Sequence, residues 1–120
     1  MLVLTAGSWR EHYSPRGITG GIDDLLFPIN HGILYYTGLA VLPPFVVYNG
    51  DRVNEETFKV TADELRERLR TLSTTKPIAY RRQNGGDYNI PSLTLKEGLE
   101  GPSDSGFSIH IAKDATGSQD

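Results

Sequence analysis

Between Gly20 and Tyr48 the chain reads GGIDDLLFPINHGILYYTGLAVLPPFVVY, and its apolar positions change period partway along. Ile22, Leu25, Leu26, Ile29, Ile33 and Tyr36 recur at spacings of three and four, which predicts a helix with an apolar stripe and a core to cover it. Asp23 and Asp24 fall in its first turn, against the positive end of the helix dipole, and Gly38 follows the last apolar turn as a stop. Pro28 removes one backbone donor within the pattern, yet the period continues past it, so a kink between Asp24 and Pro28 is expected rather than an end. Pro43 and Pro44 then force an extended chain into Phe45, Val46, Val47 and Tyr48, a continuous β-branched and aromatic run of the kind buried in parallel sheets.

The flanking segments fit an α/β reading. Leu2, Val3 and Leu4 predict a buried strand that breaks at once into Thr5, Ala6, Gly7 and Ser8, a loop at a strand's carboxyl edge. A core strand starting this close to Met1 needs neighbours on both sides, so further elements are expected upstream. Residues 9–21, WREHYSPRGITGG, form a long connection of the kind that carries function. Asn49-Gly50 marks a turn, after which Phe58, Ala62, Leu65, Leu69 and Leu72 predict a second amphipathic helix ending before Pro77. Asn54 is favoured as its cap over Thr61 with Glu64, because Phe58 already belongs to the stripe, and Glu64 and Arg68 are spaced to pair along it. From Pro77 onward the chain is rich in Gly, Pro, Ser and Asn. Its alternating run Phe107-Ser-Ile-His-Ile111 suits an edge strand or an extended arm, and residues 115–120 are expected to be disordered.

Composition narrows the class. With 120 residues and 38% hydrophobic content the chain is one small domain, and a net charge of −3 gives no basic field for nucleic acid. The absence of cysteine excludes disulfides and thiolate chemistry and fits a cytoplasmic location. No apolar run approaches the roughly 18 residues of a membrane span.

Candidate chemistry is sparse. Thr5, Ala6, Gly7 and Ser8 offer backbone N–H groups and hydroxyls to a flat polar ring, although an ordinary strand-ending turn has the same composition. Gly17, Gly20 and Gly21 precede a helix without the spacing of a phosphate loop, and Asp23 and Asp24 would repel an anion there. Tyr13 and Tyr48 are possible hydrogen-bond donors to a carbonyl and equally ordinary packing residues. His12, His31 and His110 have no ligand spacing, so no metal is expected; His31 lies off the apolar stripe, and all three read as surface or internally satisfied histidines.

The succession of Thr5-Ala-Gly-Ser8, Tyr13, Gly17-Ile18, a helix with Pro28 and Gly32-Ile-Leu34 ahead of Gly38, and the Leu42-Pro43 approach to a strand resembles the flavodoxin-like NAD(P)H:quinone oxidoreductases. Asp87-Tyr-Asn89 and Phe107-Ser-Ile-His110 resemble that family's C-terminal extension. The resemblance implies a partial flavodoxin-like α/β fold over residues 1–76, comprising the last two parallel strands with their two helices, and an extended C-terminal arm over residues 77–120. It also implies a dimer with sites between subunits, FMN or FAD, NAD(P)H as hydride donor and a quinone-like acceptor. By motif position Thr5, Ala6, Gly7 and Ser8 would bind the cofactor, with Gly7 and Ser8 against the flavin ring, and Tyr13 would be catalytic.

Two departures limit the carry-over. Thr19 stands where better-known members place a histidine beside the tyrosine, and only the second half of the five-strand 2-1-3-4-5 sheet has a counterpart. The alternative is a truncated, non-catalytic homo-oligomer or partner-binding module without the flavin-phosphate half.

Overall fold

The computed structural model describes residues 1–113; the expected disorder of residues 115–120 lies outside the described residues. Two short strands, β1 (Val3–Thr5) and β2 (Phe45–Val47), pair in parallel with Val3 opposite Phe45 and Thr5 opposite Val47. Between them runs helix α1 (Ile22–Ile29), and after them helix α2 (Glu55–Arg70). This is the expected α/β arrangement, with the crossover that parallel strands require.

Helix α1 differs from its sequence reading in two ways. The irregularity expected between Asp24 and Pro28 shows as a widened π-helical turn at Asn30–Tyr35, one turn beyond the proline, where bonds such as Tyr36 N–H to the His31 carbonyl span five residues. Gly38 then stops the helix at φ +97°, with Leu39 N–H reaching back to the Leu34 carbonyl. The second difference is the buried face. Leu26 and Asn30 are buried and Phe27, His31 and Leu34 half-buried, while Leu25, Ile29, Ile33 and Tyr36 of the expected stripe face solvent. A helix apolar on more than one side has no single stripe, and the widened turn shifts which positions share a face.

Helix α2 starts where Asn54 predicts. Its side chain accepts from Thr57 N–H at 2.9 Å, and the Thr57 hydroxyl takes the Asn54 N–H in return. The expected Glu64–Arg68 pair is replaced: the Arg68 guanidinium donates to the Pro43 carbonyl, tying α2 to the chain entering β2. A tertiary acceptor holds a guanidinium better than an exposed helical neighbour does. No α2 residue is buried, and Phe58 and Leu69 stay exposed, as fits a helix beside a sheet that has two strands among the described residues.

The C-terminal segment corrects another expectation. Gly106–His110 forms a 3-10 turn instead of an edge strand or extended arm, and only Ile111 bridges Tyr80 in antiparallel fashion. The alternation is overridden by rings. Phe107, Phe27 and His31 stack face to face, with centroids 4.3 and 4.5 Å apart, and Tyr80 meets His31 edge-on at 4.8 Å. Each such pair contributes about 0.5–1.5 kcal/mol beyond its burial. Buried Arg81 completes the clamp by donating to the Ile109 and Leu99 carbonyls at 2.8 and 2.7 Å, with Asp87 at 3.6 Å.

His31 and His110 are therefore partners in this contact, with ring centroids 5.4 Å apart, the internal of the two alternatives expected for them. His110 Nδ1 shares a 2.9 Å hydrogen bond with the Tyr88 hydroxyl, and His31 Nε2 is buried without a partner among the described residues. Burial first, then the charge of His110, lowers the His31 pKa; burial and then Arg81 lower that of His110. A base with a lowered folded pKa binds protons more readily when unfolded, so stability falls as pH drops below the ordinary value of 6.5. Urea unfolding should therefore show a midpoint that declines between pH 7.5 and 5, and the double variant His31→Gln, His110→Gln should flatten that decline.

Candidate functional site

The small-residue loop after β1 lies at the carboxyl edge of the strand pair. Ala6 N–H continues the ladder to the Val47 carbonyl at 2.7 Å, then Gly50 N–H donates to the Ala6 carbonyl at 3.0 Å and Asn49 N–H to the Ser8 carbonyl at 3.1 Å. These bonds clip the loop to the turn after β2. Asn49 holds φ 55°, a left-handed conformation asparagine tolerates, which makes the Asn49-Gly50 signal a site feature as well as a turn.

Of the expected cofactor-binding residues, Ala6 is buried, Ser8 half-buried, and Thr5 and Gly7 exposed. A Cβ on Gly7 would lie 3.2 Å from Asp51 Oδ2, a tight contact that the exposed Asp51 side chain would have to ease by a small shift. Among the described residues the N–H groups of Gly7 and Ser8 have no hydrogen-bond acceptor. Unpaired amides on an exposed loop at a strand's carboxyl edge are free to donate to the polar edge of a ligand.

Tyr13 ends a 3-10 turn, Arg10–Tyr13, inside the long connection. Its ring lies 5.6 Å from that of Tyr48, the neighbour of Asn49, so the two tyrosines singled out in the sequence come together beside the loop. Two flanking contacts had no signal in spacing or period: Arg10 sits over the Tyr48 ring at 4.6 Å and Arg52 over the Trp9 ring at 4.8 Å. They put two cations at an edge that composition alone marks as mildly acidic. Beside them a cleft of about 250 Å³ runs between Trp9, Tyr48, Asn49 and Arg52.

The connection is folded by its own polar groups. Thr19 donates its hydroxyl to the His12 carbonyl, which also accepts Thr19 N–H at 3.2 Å, so Thr19 staples the loop instead of pairing with Tyr13. The glycines serve the same loop: Gly20 adopts φ +75°, and a Cβ on Gly17 would overlap the His12 and Glu11 carbonyls. His12 is exposed, and the described residues contain no cluster of three metal-ligating side chains.

A family profile described as a flavodoxin-like fold matches residues 1–69. The chain belongs to the flavodoxin-like fold family. Among its relatives, the ribosyldihydronicotinamide dehydrogenase-like protein traD of Penicillium crustosum is 56% identical over 110 residues, which are 92% of this chain and 40% of that protein. The mouse ribosyldihydronicotinamide dehydrogenase [quinone] is 33% identical over 78 residues, 65% of this chain and 34% of its own length. A Klebsiella pneumoniae crystal structure provisionally assigned as a quinone reductase superposes with a TM-score of 0.88 at 56% identity, covering 93% of this chain and 43% of that one. The chain thus spans less than half the length of these relatives, two of which are named as ribosyldihydronicotinamide dehydrogenases and one as a quinone reductase.

In this flavodoxin-like chain the loop that bears Tyr13 depends on Gly17. Gly17→Ala should destabilise by about 1–3 kcal/mol, read as a lower urea midpoint at unchanged slope. Gly32→Ala, where a Cβ meets nothing within 4 Å, should stay within about 1 kcal/mol of the parent.

Proposed function

We propose that this chain contributes the ring-facing half of a flavin-dependent NAD(P)H:quinone oxidoreductase site and works as a homodimer. The observation that carries the reading is the loop of Thr5, Ala6, Gly7 and Ser8 at the carboxyl edge of the strand pair, with unpaired Gly7 and Ser8 amides, beside the Tyr13–Tyr48 pair. Bound there, FMN or FAD would supply the hydride acceptor for NAD(P)H and the donor to a quinone.

The chain's own residues would do three things. The Gly7 and Ser8 N–H groups would hold the polar edge of the ring, and the shallow profile of Gly7 would let the ring lie close. The Tyr13 hydroxyl would donate to an oxygen on which negative charge builds, with its ring packed against that of Tyr48, over which Arg10 lies. Thr19, already bonded to His12, plays no part in proton transfer in this reading. Dimerisation is supported by the helix row Leu25, Ile29, Ile33 and Tyr36, each between 41% and 62% exposed, which a second copy would cover. The lack of cysteine accords with a cytoplasmic site of action, and among the described residues no helix is long and apolar enough to cross a membrane.

A second reading, a non-catalytic oligomer, is favoured by the exposed apolar face of α2 and predicts the same dimer without turnover. NAD(P)H oxidation in the presence of added flavin and a quinone separates the two. The oxidoreductase reading expects quinone-dependent turnover whose kcat drops on the order of 100-fold in Tyr13→Phe at unchanged stability. Absence of turnover in the flavin-saturated parent would move the chain to the second reading.

A further inference from the structure

The C-terminal segment is bonded more closely to itself than to helix α1. Arg81 N–H donates to the His110 carbonyl at 2.9 Å, Ala112 N–H to the Ala79 carbonyl at 2.7 Å, and the Arg81 guanidinium holds the Ile109 and Leu99 carbonyls. Across to α1 and its π-helical turn, the polar ties among the described residues are two long bonds from the Tyr35 hydroxyl, to the Tyr80 and Arg81 carbonyls at 3.3 and 3.2 Å. The rest of that contact is rings: Phe107 on Phe27, and Tyr80 and His110 against His31. Two of these rings are imidazoles, so the contact stays apolar only while both are neutral.

Docked, neither imidazole has what its charged form needs. His31 Nε2 is buried without a partner among the described residues, so a proton there finds no acceptor. His110 Nδ1 has a neutral partner, the Tyr88 hydroxyl. The titratable and charged groups facing the pair are Tyr35 and Tyr36 from the π-helical turn and Tyr80, Arg81 and Tyr88 from the arm. Asp87 lies beyond Arg81 at 3.6 Å, and Asp23 acts on the Tyr80 phenol. No carboxylate pairs with either histidine among the described residues. A proton on one ring therefore adds positive charge beside the other imidazole and Arg81, and both histidines are held below their ordinary 6.5.

We propose that His31 and His110 form a proton-operated latch, which lets residues 79–112 leave α1 as a unit in mild acid while the strand pair and α2 stay folded. Released, both rings meet water and take up protons that the docked contact refuses. Docking is complete above the ordinary histidine value and weakens below it, by about tenfold per pH unit for each histidine while only the released arm binds the proton. Ile78 N–H, bonded to the Val41 carbonyl at 2.8 Å, marks where the arm stays attached. Release removes Tyr80, Phe107 and Ile111 from a cleft of about 440 Å³ that Tyr13 and Phe27 also line. Nothing in the latch involves the Gly7–Ser8 loop, so its test needs no flavin.

The chain contains no cysteine, so Ser103→Cys, on an exposed turn four residues before Phe107, carries a single nitroxide label for NMR on the full chain. At pH 7.5 the label should broaden the amides of residues 26–31. At pH 5.5 that broadening should fall by about twofold or more, while the amides of β1, β2 and α2 keep their shifts. The imidazole C2 protons of His31 and His110 should titrate over the same range as the loss, with exposed His12 as reference. The double variant His31→Phe, His110→Gln, which keeps a ring in the stack and an acceptor for the Tyr88 hydroxyl, should hold the broadening at pH 5.5. Should that variant fail to fold, the titration of the parent decides alone. Broadening unchanged down to pH 5.5, lost equally in the folded double variant, lost away from the titration of both histidines, or lost together with the dispersion of the β1 and α2 amides would overturn the proposal.

Discussion

Helix α1 is apolar on more than one side, and that constraint organises the molecule. Its inner face, through Leu26, Phe27 and Asn30, is covered by the chain's own C-terminal turn and by Tyr80. Its outer face, through Leu25, Ile29, Ile33 and Tyr36, is left to solvent. Fully burying such a side chain is worth about 1.5–3 kcal/mol, and with these four between 41% and 62% exposed, covering them would recover part of that for each against a domain's usual ~5–15 kcal/mol. One helix thus serves an internal contact and presents a surface for an external one.

The inner contact and the carboxyl edge are linked through the connection at residues 9–21. This segment leaves β1 at the small-residue loop, places Tyr13 against Tyr48, and enters α1 at Gly21 just ahead of the ring stack. The backbone clips from Asn49 and Gly50 fix its beginning, and Thr19 with Gly17 fixes its fold. Tyr13 therefore meets Tyr48 on one side and, on the other, lines a cleft walled by Phe27, Tyr80 and Phe107.

The parallel strand pair, the Gly38 stop and the Asn54 cap were legible in sequence because each rests on local chemistry: a β-branched run after two prolines, a residue free at positive φ, and a side chain sized to take two orphan amides. The buried face of α1 was not. With Leu25, Leu26, Phe27 and Ile29 all apolar, periodicity cannot choose a side, and the choice was made by Phe107, eighty residues away from Phe27 along the chain. The same long-range contact turned an alternating run into a 3-10 turn and drew His31 and His110 together. At the candidate site, composition at a strand's end and family likeness pointed to Thr5, Ala6, Gly7 and Ser8, and likeness alone to Tyr13; the fold sets that loop at the carboxyl edge of the strand pair and Tyr13 against Tyr48. Arg10 and Arg52 gained meaning only when the fold set them over Tyr48 and Trp9.

Membership of the flavodoxin-like family is carried by residues 1–69, and the proposed function rests on whether this chain, 40% of the length of one relative, holds a flavin ring. Size-exclusion chromatography with light scattering and full-spectrum absorbance, run with and without added FMN or FAD, tests that directly. The account predicts a peak at the mass of two chains that retains flavin absorbance. A colourless peak at the mass of one chain, unchanged by either flavin, would contradict it.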